Sequence, residues 1–241
     1  MSSDVRVLVR RAASAGATIS LLVLGGCSSE APRPVPTPSI SWQGAAPAGD
    51  LEGDAWVKAL RESAVALAAA TNAANYTDES LLRTWDEGLV LRAAERARDS
   101  LDHGSASVAL GPRPFTPIHV QLRDADQRAD VWMCTEPMPM LETTPSEVTP
   151  SELLDGPVAR LYGVRLDADG QRRLTGAIPP DDRHVLPDGQ QFDDDYCESV
   201  PIPRALFEPA PDLEALLELD GDDVVAPPEP SPSFAVEVPE R

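Results

Sequence analysis

Cysteine thiols have the widest chemistry of the side chains in this sequence, because a thiol can carry a lipid, form a disulfide or bind a soft metal ion. The chain of 241 residues contains three, Cys27, Cys134 and Cys197. Cys27 follows an apolar segment near the N-terminus, and the other two lie far along the chain. This position predicts a role for Cys27 that differs from the role of the later pair.

Residues 1–26 have the order of an export signal. Arg6, Arg10 and Arg11 precede a stretch of apolar and small residues from 12 to 24. This stretch is too short to cross a hydrocarbon core of about 30 Å, which takes a helix of about 20 residues. We therefore expect it to direct export and not to span the membrane.

The segment Leu24-Gly25-Gly26-Cys27 resembles the lipobox of bacterial lipoprotein signal peptides. In that family the cysteine is linked to diacylglycerol and becomes the first residue of the mature chain. The resemblance implies that Cys27 is the lipidation site and that the protein is exported and anchored to the outer face of the cell membrane. The alternative is an ordinary secretory signal that is cut at a small-residue site.

If Cys27 carries lipid, two thiols remain in an oxidising compartment. An even pair in an exported protein predicts a disulfide between Cys134 and Cys197, which would close a loop of about 60 residues. Free or metal-bound thiols are the alternative. Cys134 also stands beside Met133, Met138 and Met140, and thiol and thioether sulfurs together suit Cu(I).

Other polar clusters are better explained without a metal or a catalytic centre. The acidic stretch after 180 lacks the spacing of an EF-hand, so a solvated loop is favoured over a Ca²⁺ site. The histidines show no metal-ligand spacing, and no nucleophile motif accompanies them. We therefore predict no catalytic residue, no metal and no cofactor. The residues concerned are Asp181, Asp182, Asp188, Asp193, Asp194, Asp195, His103, His119 and His184.

Composition limits the partners and divides the chain. The formal net charge of −20 argues against direct binding to nucleic acid or to anionic lipid headgroups, since phosphate binding needs clustered Lys and Arg. The 25 prolines concentrate near both ends of the mature chain. We predict a Pro/Ser-rich tether over 27–49 and one folded domain over 50–208 with an inserted loop near 138–157. An acidic, Pro-rich disordered tail over 209–241 is predicted to follow, apart from a short helix at 212–219.

Hydrophobic periodicity predicts helices followed by strands within the domain. The first predicted helix covers 51–70 with Asp50 as its cap, and the second runs from Thr77 to Gly104 with a break at Gly88. Alternation of apolar and polar residues predicts the strands. These are 106–110, then a hairpin of 118–122 with 128–134, and a second hairpin of 158–166 with 171–178.

This order resembles the NTF2-like, or cystatin-like, domains found in many bacterial lipoproteins. The resemblance is carried by the helix around Trp56 and Leu60, the strand pair 117–134 and the hairpin 159–170. In that fold a curved antiparallel sheet wraps a long helix to form a cone. The resemblance implies an α+β fold in which N-terminal helices pack on a curved antiparallel sheet, with a pocket between the two layers.

Members of that group include enzymes, ligand-binding shells and interaction domains, so the fold leaves the function open. We predict a membrane-anchored lipoprotein of the cell envelope that binds an envelope protein or a small ligand without catalysis. The alternatives are a hydrolase or isomerase that uses the cone's cavity, and a spacer with no ligand. An enzyme would show convergent ionisable side chains in its cavity, whereas a binding domain would show apolar walls.

Overall fold

The computed structural model describes residues 34–144, 147–150 and 156–228. Within these ranges the chain folds as a mixture of helices and antiparallel strands, which confirms the predicted α+β class. The export signal and Cys27 lie outside the described residues. None of the described helices combines the length and the apolar character that a membrane span requires.

The elements are numbered in chain order. The helices are α1 (Ala55–Ala73), α2 (Glu79–Thr84), α3 (Glu87–Asp102), α4 (Asp194–Glu198) and α5 (Leu213–Leu217). The strands are β1 (Ser39–Trp42), β2 (Ala106–Ala109), β3 (Phe115–Arg123), β4 (Arg128–Thr135), β5 (Met140–Thr144), β6 (Glu147–Pro150), β7 (Val158–Leu166), β8 (Arg172–Ile178) and β9 (Ala205–Glu208).

Helix α1 begins later than its periodicity predicts, because Asp54 and not Asp50 is its cap. The Asp54 carboxylate accepts a hydrogen bond from the backbone N–H of Trp56 at 2.7 Å. Asp50 instead begins a short 3₁₀ turn, Asp50–Gly53. An aspartate directly before the first turn satisfies N–H groups that have no partner within the helix, and it thereby fixes where the helix begins.

The second predicted helix is divided into α2 and α3 at Trp85 and Asp86, and not at Gly88. The backbone N–H of Asp86 donates to the carbonyl of Leu174 in β8 at 2.9 Å. The indole N–H of Trp85 donates to the carbonyl of Ser63 in α1 at 2.8 Å. These contacts with other elements override the helical preference of the local sequence.

The two predicted hairpins pair as one antiparallel sheet in the order β3-β4-β7-β8. Side chains alternate between its faces. Ala129, Val131 and Met133 of β4 pack in the cluster that contains the start of α1. Trp132 and Cys134 pack on the opposite face. Both faces of the sheet are therefore covered.

The predicted inserted loop contains two strands. Strand β5 pairs with β6 and also with β2, so that a three-stranded sheet forms in the order β2-β5-β6. Because 138–157 is rich in proline, its composition predicted a loop and not this strand pairing. Its threonines and Val148 are β-branched, and such residues favour strands. Pro150 ends β6, the outermost strand of the sheet, where a missing N–H is tolerated.

The predicted tether also contributes to the fold. Strand β1 lies within it and pairs antiparallel with β9, with Ile40 opposite Phe207. The segment Ser39–Trp42 alternates polar and apolar residues, which is a strand pattern, but the surrounding prolines obscured it. The folded part of the chain therefore begins before residue 50.

The predicted disordered tail is ordered as far as residue 228. Helix α5 lies within it, and Leu216, Leu219 and Val224 are buried in the cluster that α1, α2 and α3 share. The backbone N–H of Val225 donates to the carbonyl of Ala74 at 3.0 Å. The segment is acidic on average, but the leucines around α5 bury enough apolar surface to hold it against the helices. Residues 229–241 lie outside the described residues.

Candidate functional site

The sulfur atoms of the Met- and Cys-rich segment do not meet at one site. Met133 and Cys134 are consecutive in β4 and therefore point to opposite faces of the sheet. The Sγ atoms of Cys134 and Cys197 are 2.04 Å apart, at bonding distance. Met138 and Met140 line cavities on the α1 side. This geometry excludes a Cu(I) site that combines the thiol with the thioethers.

The Cys134–Cys197 pair fastens the outer covering of the sheet. Both residues are fully buried. They pack with Trp132 of β4, and with Phe192, which is also fully buried. Because Cys197 lies in α4, the bond joins the segment before β9 to the middle of the four-stranded sheet. Its role in the structure is to hold two layers together.

The aspartates that could have formed a Ca²⁺ site act within the fold. Asp193 caps α4 by accepting a hydrogen bond from the backbone N–H of Tyr196 at 2.9 Å. Asp194 accepts one from the backbone N–H of Ala159, the first inner residue of β7, at 2.7 Å. The Arg183 side chain donates hydrogen bonds to Asp181 and lowers its pKa to about 2.

Two of the three histidines come together, which the sequence spacing did not predict. His119 and His184 both pack edge-on against the Trp132 ring, each with a centroid distance of 5.2 Å. His103 lies apart, at the end of α3, where the carbonyl of Asp99 raises its pKa. Across the described residues, no group of three or more His, Cys, Asp or Glu side chains could hold a metal ion.

The main candidate site is a pair of cavities on the α1 side of the fold. The first, called here the sheet chamber, has a volume of about 320 Å³ and lies between α1, α3 and the four-stranded sheet. The size is at the lower end of the range for small-molecule sites. Its apolar walls include Leu60, Trp85, Leu89, Phe115, Met133 and Tyr162.

The second cavity, called here the helix chamber, has a volume of about 290 Å³ and lies between α1, α3, β2 and α5. One of its walls is Tyr76, whose burial raises the pKa of the phenol, so that the ring stays neutral. The other walls combine apolar side chains with hydroxyl groups: Ala97, Leu101, Met140 and Leu216 with Thr71, Ser100, Ser105 and Ser107. The segment predicted as a disordered tail thus supplies part of a cavity wall.

Four residues line both chambers and form the boundary between them, called here the junction. They are Leu67, Arg96, Arg113 and Met138. Leu67 comes from α1 and Arg96 from α3, whereas the other two come from the turns that precede β3 and β5. Arg96 is exposed and Arg113 is half-buried, so the junction extends from the solvent into the protein.

The two junction arginines have no carboxylate partner among the described residues. Arg113 donates one hydrogen bond, from Nη1 to the backbone carbonyl of Glu136 at 3.3 Å. The carboxylate of Glu136 is instead bound by Arg204, with an Nε to Oε2 distance of 2.6 Å. In the described part of the chain, no ion pair involves Arg96. Among the described side chains, no carboxylate compensates the two positive charges of the junction by an ion pair.

No protein-family model matches the chain, and no curated protein matches it. Among solved structures, the intermembrane-space region of the chloroplast protein ARC6 is similar. The similarity covers 55% of this chain and 97% of that one, with a TM-score of 0.37 and 12% identity. A likeness of this size carries no inference about fold or function.

The chambers are built for binding by apolar contact. The described residues that line them include no carboxylate, imidazole or amine. The hydroxyl of Ser63, on the wall of the sheet chamber, donates to the carbonyl of Leu60 at 2.9 Å. Arginine stays charged at ordinary pH and does not act as a general base. What this lining can do is remove an apolar molecule from water and orient a polar end.

Sequence reasoning missed the junction, because its four residues come from distant parts of the chain. One local signal points to it. Arg113 stands between Pro112 and Pro114, in the turn that leads into β3. Proline restricts both its own backbone and that of the residue before it, so the backbone that carries this arginine is restrained.

Proposed function

We propose that this protein is an exported lipoprotein whose α+β domain binds a small apolar molecule in the two chambers, without catalysing a reaction. One observation carries the proposal: two cavities with apolar walls meet at a shared boundary between the helices and the sheets. Burial of apolar surface supplies about 25 cal/mol per Å², which is enough to hold a small ligand. Anchoring would keep that binding site close to the membrane.

The proposal includes an NTF2-like cone. Its support is the packing of α1 on the four-stranded sheet, where Trp56 and Leu60 contact the cluster that contains Met133. The sheet chamber opens between these layers, where a cone would have its pocket. The sheet β2-β5-β6 and the pair β1-β9 would be additions to that core.

The anchor is tested by Cys27→Ser. We expect this variant to be exported but to move from the membrane fraction to the soluble fraction, with a loss of roughly tenfold or more in membrane-bound protein, because acyl chains supply the membrane affinity. Immunoblots of separated fractions measure it. Ser29→Ala, close by in the sequence, is the control and should stay with the membrane. If Cys27→Ser remains bound to membranes, the lipid anchor is wrong.

The binding function is tested with 1-decanol as a neutral apolar probe. We expect the Cys27→Ser protein to bind it, and we expect Leu67→Trp to weaken that binding by roughly tenfold or more, because the indole would enter both chambers. Titration calorimetry measures the affinity. Leu122→Trp is the control, since Leu122 is 49% exposed and lines neither chamber.

Melting curves establish that both variants are folded. If Leu67→Trp does not fold, Ala64→Phe offers a second way to fill the sheet chamber. Failure of the wild-type chambers to bind decanol would remove the proposed function. Equal decanol binding by the Leu67 and Leu122 variants would place the binding elsewhere, and that result would also contradict the proposal.

A further inference from the structure

We propose that the junction recognises an anionic head group, and that the ligand of the two chambers is therefore an acidic amphiphile: a single alkyl chain that ends in a carboxylate or a phosphate. This inference rests on the proposed function and specifies its ligand. Arg96 and Arg113 bind the head, and the apolar walls of the sheet chamber hold the chain.

The first reason is the state of Arg113. Its side chain is half-buried, yet its hydrogen bonding in the described structure is limited to one backbone carbonyl at 3.3 Å. A guanidinium has five N–H donors, arranged in a planar fork that fits a carboxylate or a phosphate. Partly buried charges are costly unless they are paired. Arg113 therefore retains donors that an anionic ligand can use.

The second reason is the contrast with other partly buried arginines. Arg61 pairs with Glu52 at 2.6 Å, and Arg165 pairs with Asp167 at 2.5 Å. The chain has 40 acidic residues against 20 basic ones, so carboxylate partners are abundant. Arg98, Arg160 and Arg172 are half-buried and also lack an ion pair in the described structure. What distinguishes the junction is that two arginines without a carboxylate partner line the same two cavities.

The third reason is the surface next to the charges. Met138 belongs to the junction, Met133 lines the sheet chamber and Met140 lines the helix chamber. Thioether side chains are flexible and polarisable, so they adapt to chains of different shape. Positive charge beside such apolar walls matches a molecule with an acidic end and a hydrocarbon end.

The net charge of −20 does not oppose this binding. Long-range repulsion between exposed charges is screened over about 10 Å at 0.1 M salt. Hydrogen bonds between a guanidinium and an anion act at contact distance and are stronger than neutral ones. The overall charge therefore disfavours the binding of anions elsewhere on the surface. A head group at the junction would instead contact the guanidinium groups of Arg96 and Arg113.

The test compares four ligands that share one alkyl chain: decanoate, decyl phosphate, 1-decanol and decyltrimethylammonium. The protein is the exported chain with Cys27→Ser, so that its own lipid cannot compete. We expect decanoate, decyl phosphate or both to bind at least roughly tenfold more tightly than decanol, and the cation to bind more weakly than decanol. The tighter of the two anions identifies the source, a fatty acid or a phosphate-bearing lipid.

Substitutions of the junction arginines then test whether the tighter binding of the anions depends on the junction. We expect Arg96→Ala with Arg113→Ala to reduce the ratio of anion affinity to decanol affinity from roughly tenfold or more to about one. Arg92→Ala with Arg128→Ala removes the same amount of charge from exposed residues outside both chambers, and it should leave the affinities unaltered. Retained decanol binding shows that the double variant is folded. If it is not, Arg96→Gln with Arg113→Gln replaces it.

The outcomes separate this inference from the function on which it rests. If decanol binds as tightly as both anions, the chambers bind an apolar ligand but the head-group inference is overturned. If the anions bind more tightly but the two pairs of variants behave alike, the recognition does not lie at the junction, and the inference is overturned as well. If decanol does not bind, the proposed function itself is wrong.

Discussion

Replacing Cys134 and Cys197 together with alanine is expected to lower the free energy of unfolding by about 4 kcal/mol. The two residues are separated by 63 positions, and a cross-link over such a loop restricts the unfolded chain strongly. Both side chains are also fully buried, so the substitution removes packing in the cluster around Trp132. Denaturant unfolding of both proteins measures the difference.

The matched comparison is the wild-type chain with its disulfide reduced under denaturing conditions and then blocked with a small alkylating group. It should show a loss of similar or larger size, because the same cross-link is absent. Two free thiols in the exported protein, found by mass spectrometry without reduction, would contradict the expectation. So would a change in unfolding free energy below about 0.5 kcal/mol, the size typical of surface substitutions.

Leu216→Ala is expected to lower the free energy of unfolding by about 2–4 kcal/mol, while its neighbour Leu217→Ala changes it by less than about 0.5 kcal/mol. Leu216 is 5% exposed and packs in the cluster that joins α1, α2 and α3, whereas Leu217 is 45% exposed. The two substitutions remove the same atoms from the same helix. Their difference therefore reports burial alone, and denaturant unfolding measures it.

This pair decides whether the C-terminal segment belongs to the fold. If both substitutions have equally small effects, α5 contributes no packing and the segment behaves as the disordered tail that its composition predicts. A shortened chain that ends at Pro209 provides a second measurement. It should lose several kcal/mol, since Leu219 and Val224 are removed with Leu216.

The elements that were predicted well are those whose pattern is regular over a long run. Ile118, Val120 and Leu122 alternate with polar residues, and the second hairpin repeats that pattern, so both hairpins of the four-stranded sheet follow from a period of two. The pairing of the two thiols followed from export and from their even number. Each inference used information within a short segment or within the composition.

The elements that were missed are short and stand among prolines or acids. Ile40 and Trp42 form a strand only because β9 lies beside them, and β9 comes late in the chain. The short helix after Asp212 was predicted and is confirmed as α5, but its packing in the cluster shared with α3 and β2 follows from no local pattern. The composition of a long segment does not reveal a short strand or helix within it. It therefore predicted a tether and a tail at places where tertiary contacts form ordered structure.

The candidate site could not be predicted for the same reason. Met133, Met138 and Met140 were recognised from the sequence as an unusual group, but as possible ligands of a metal. In the fold they line the same cavities as Arg96 and Leu67, which lie far earlier in the chain. The chemistry of the group depends on these neighbours, and only the fold brings them together.

If Cys27 carries the proposed lipid, the pairing of β1 with β9 limits how far the domain can stand from the membrane. A lipid on Cys27 and a strand that begins at Ser39 leave about twelve residues between them, which span at most roughly 40 Å when fully extended. A tether that continued to residue 49 would have allowed about twice that reach. The chambers would then work in a thin layer beside the bilayer, where molecules that leave the lipid phase first encounter a protein surface.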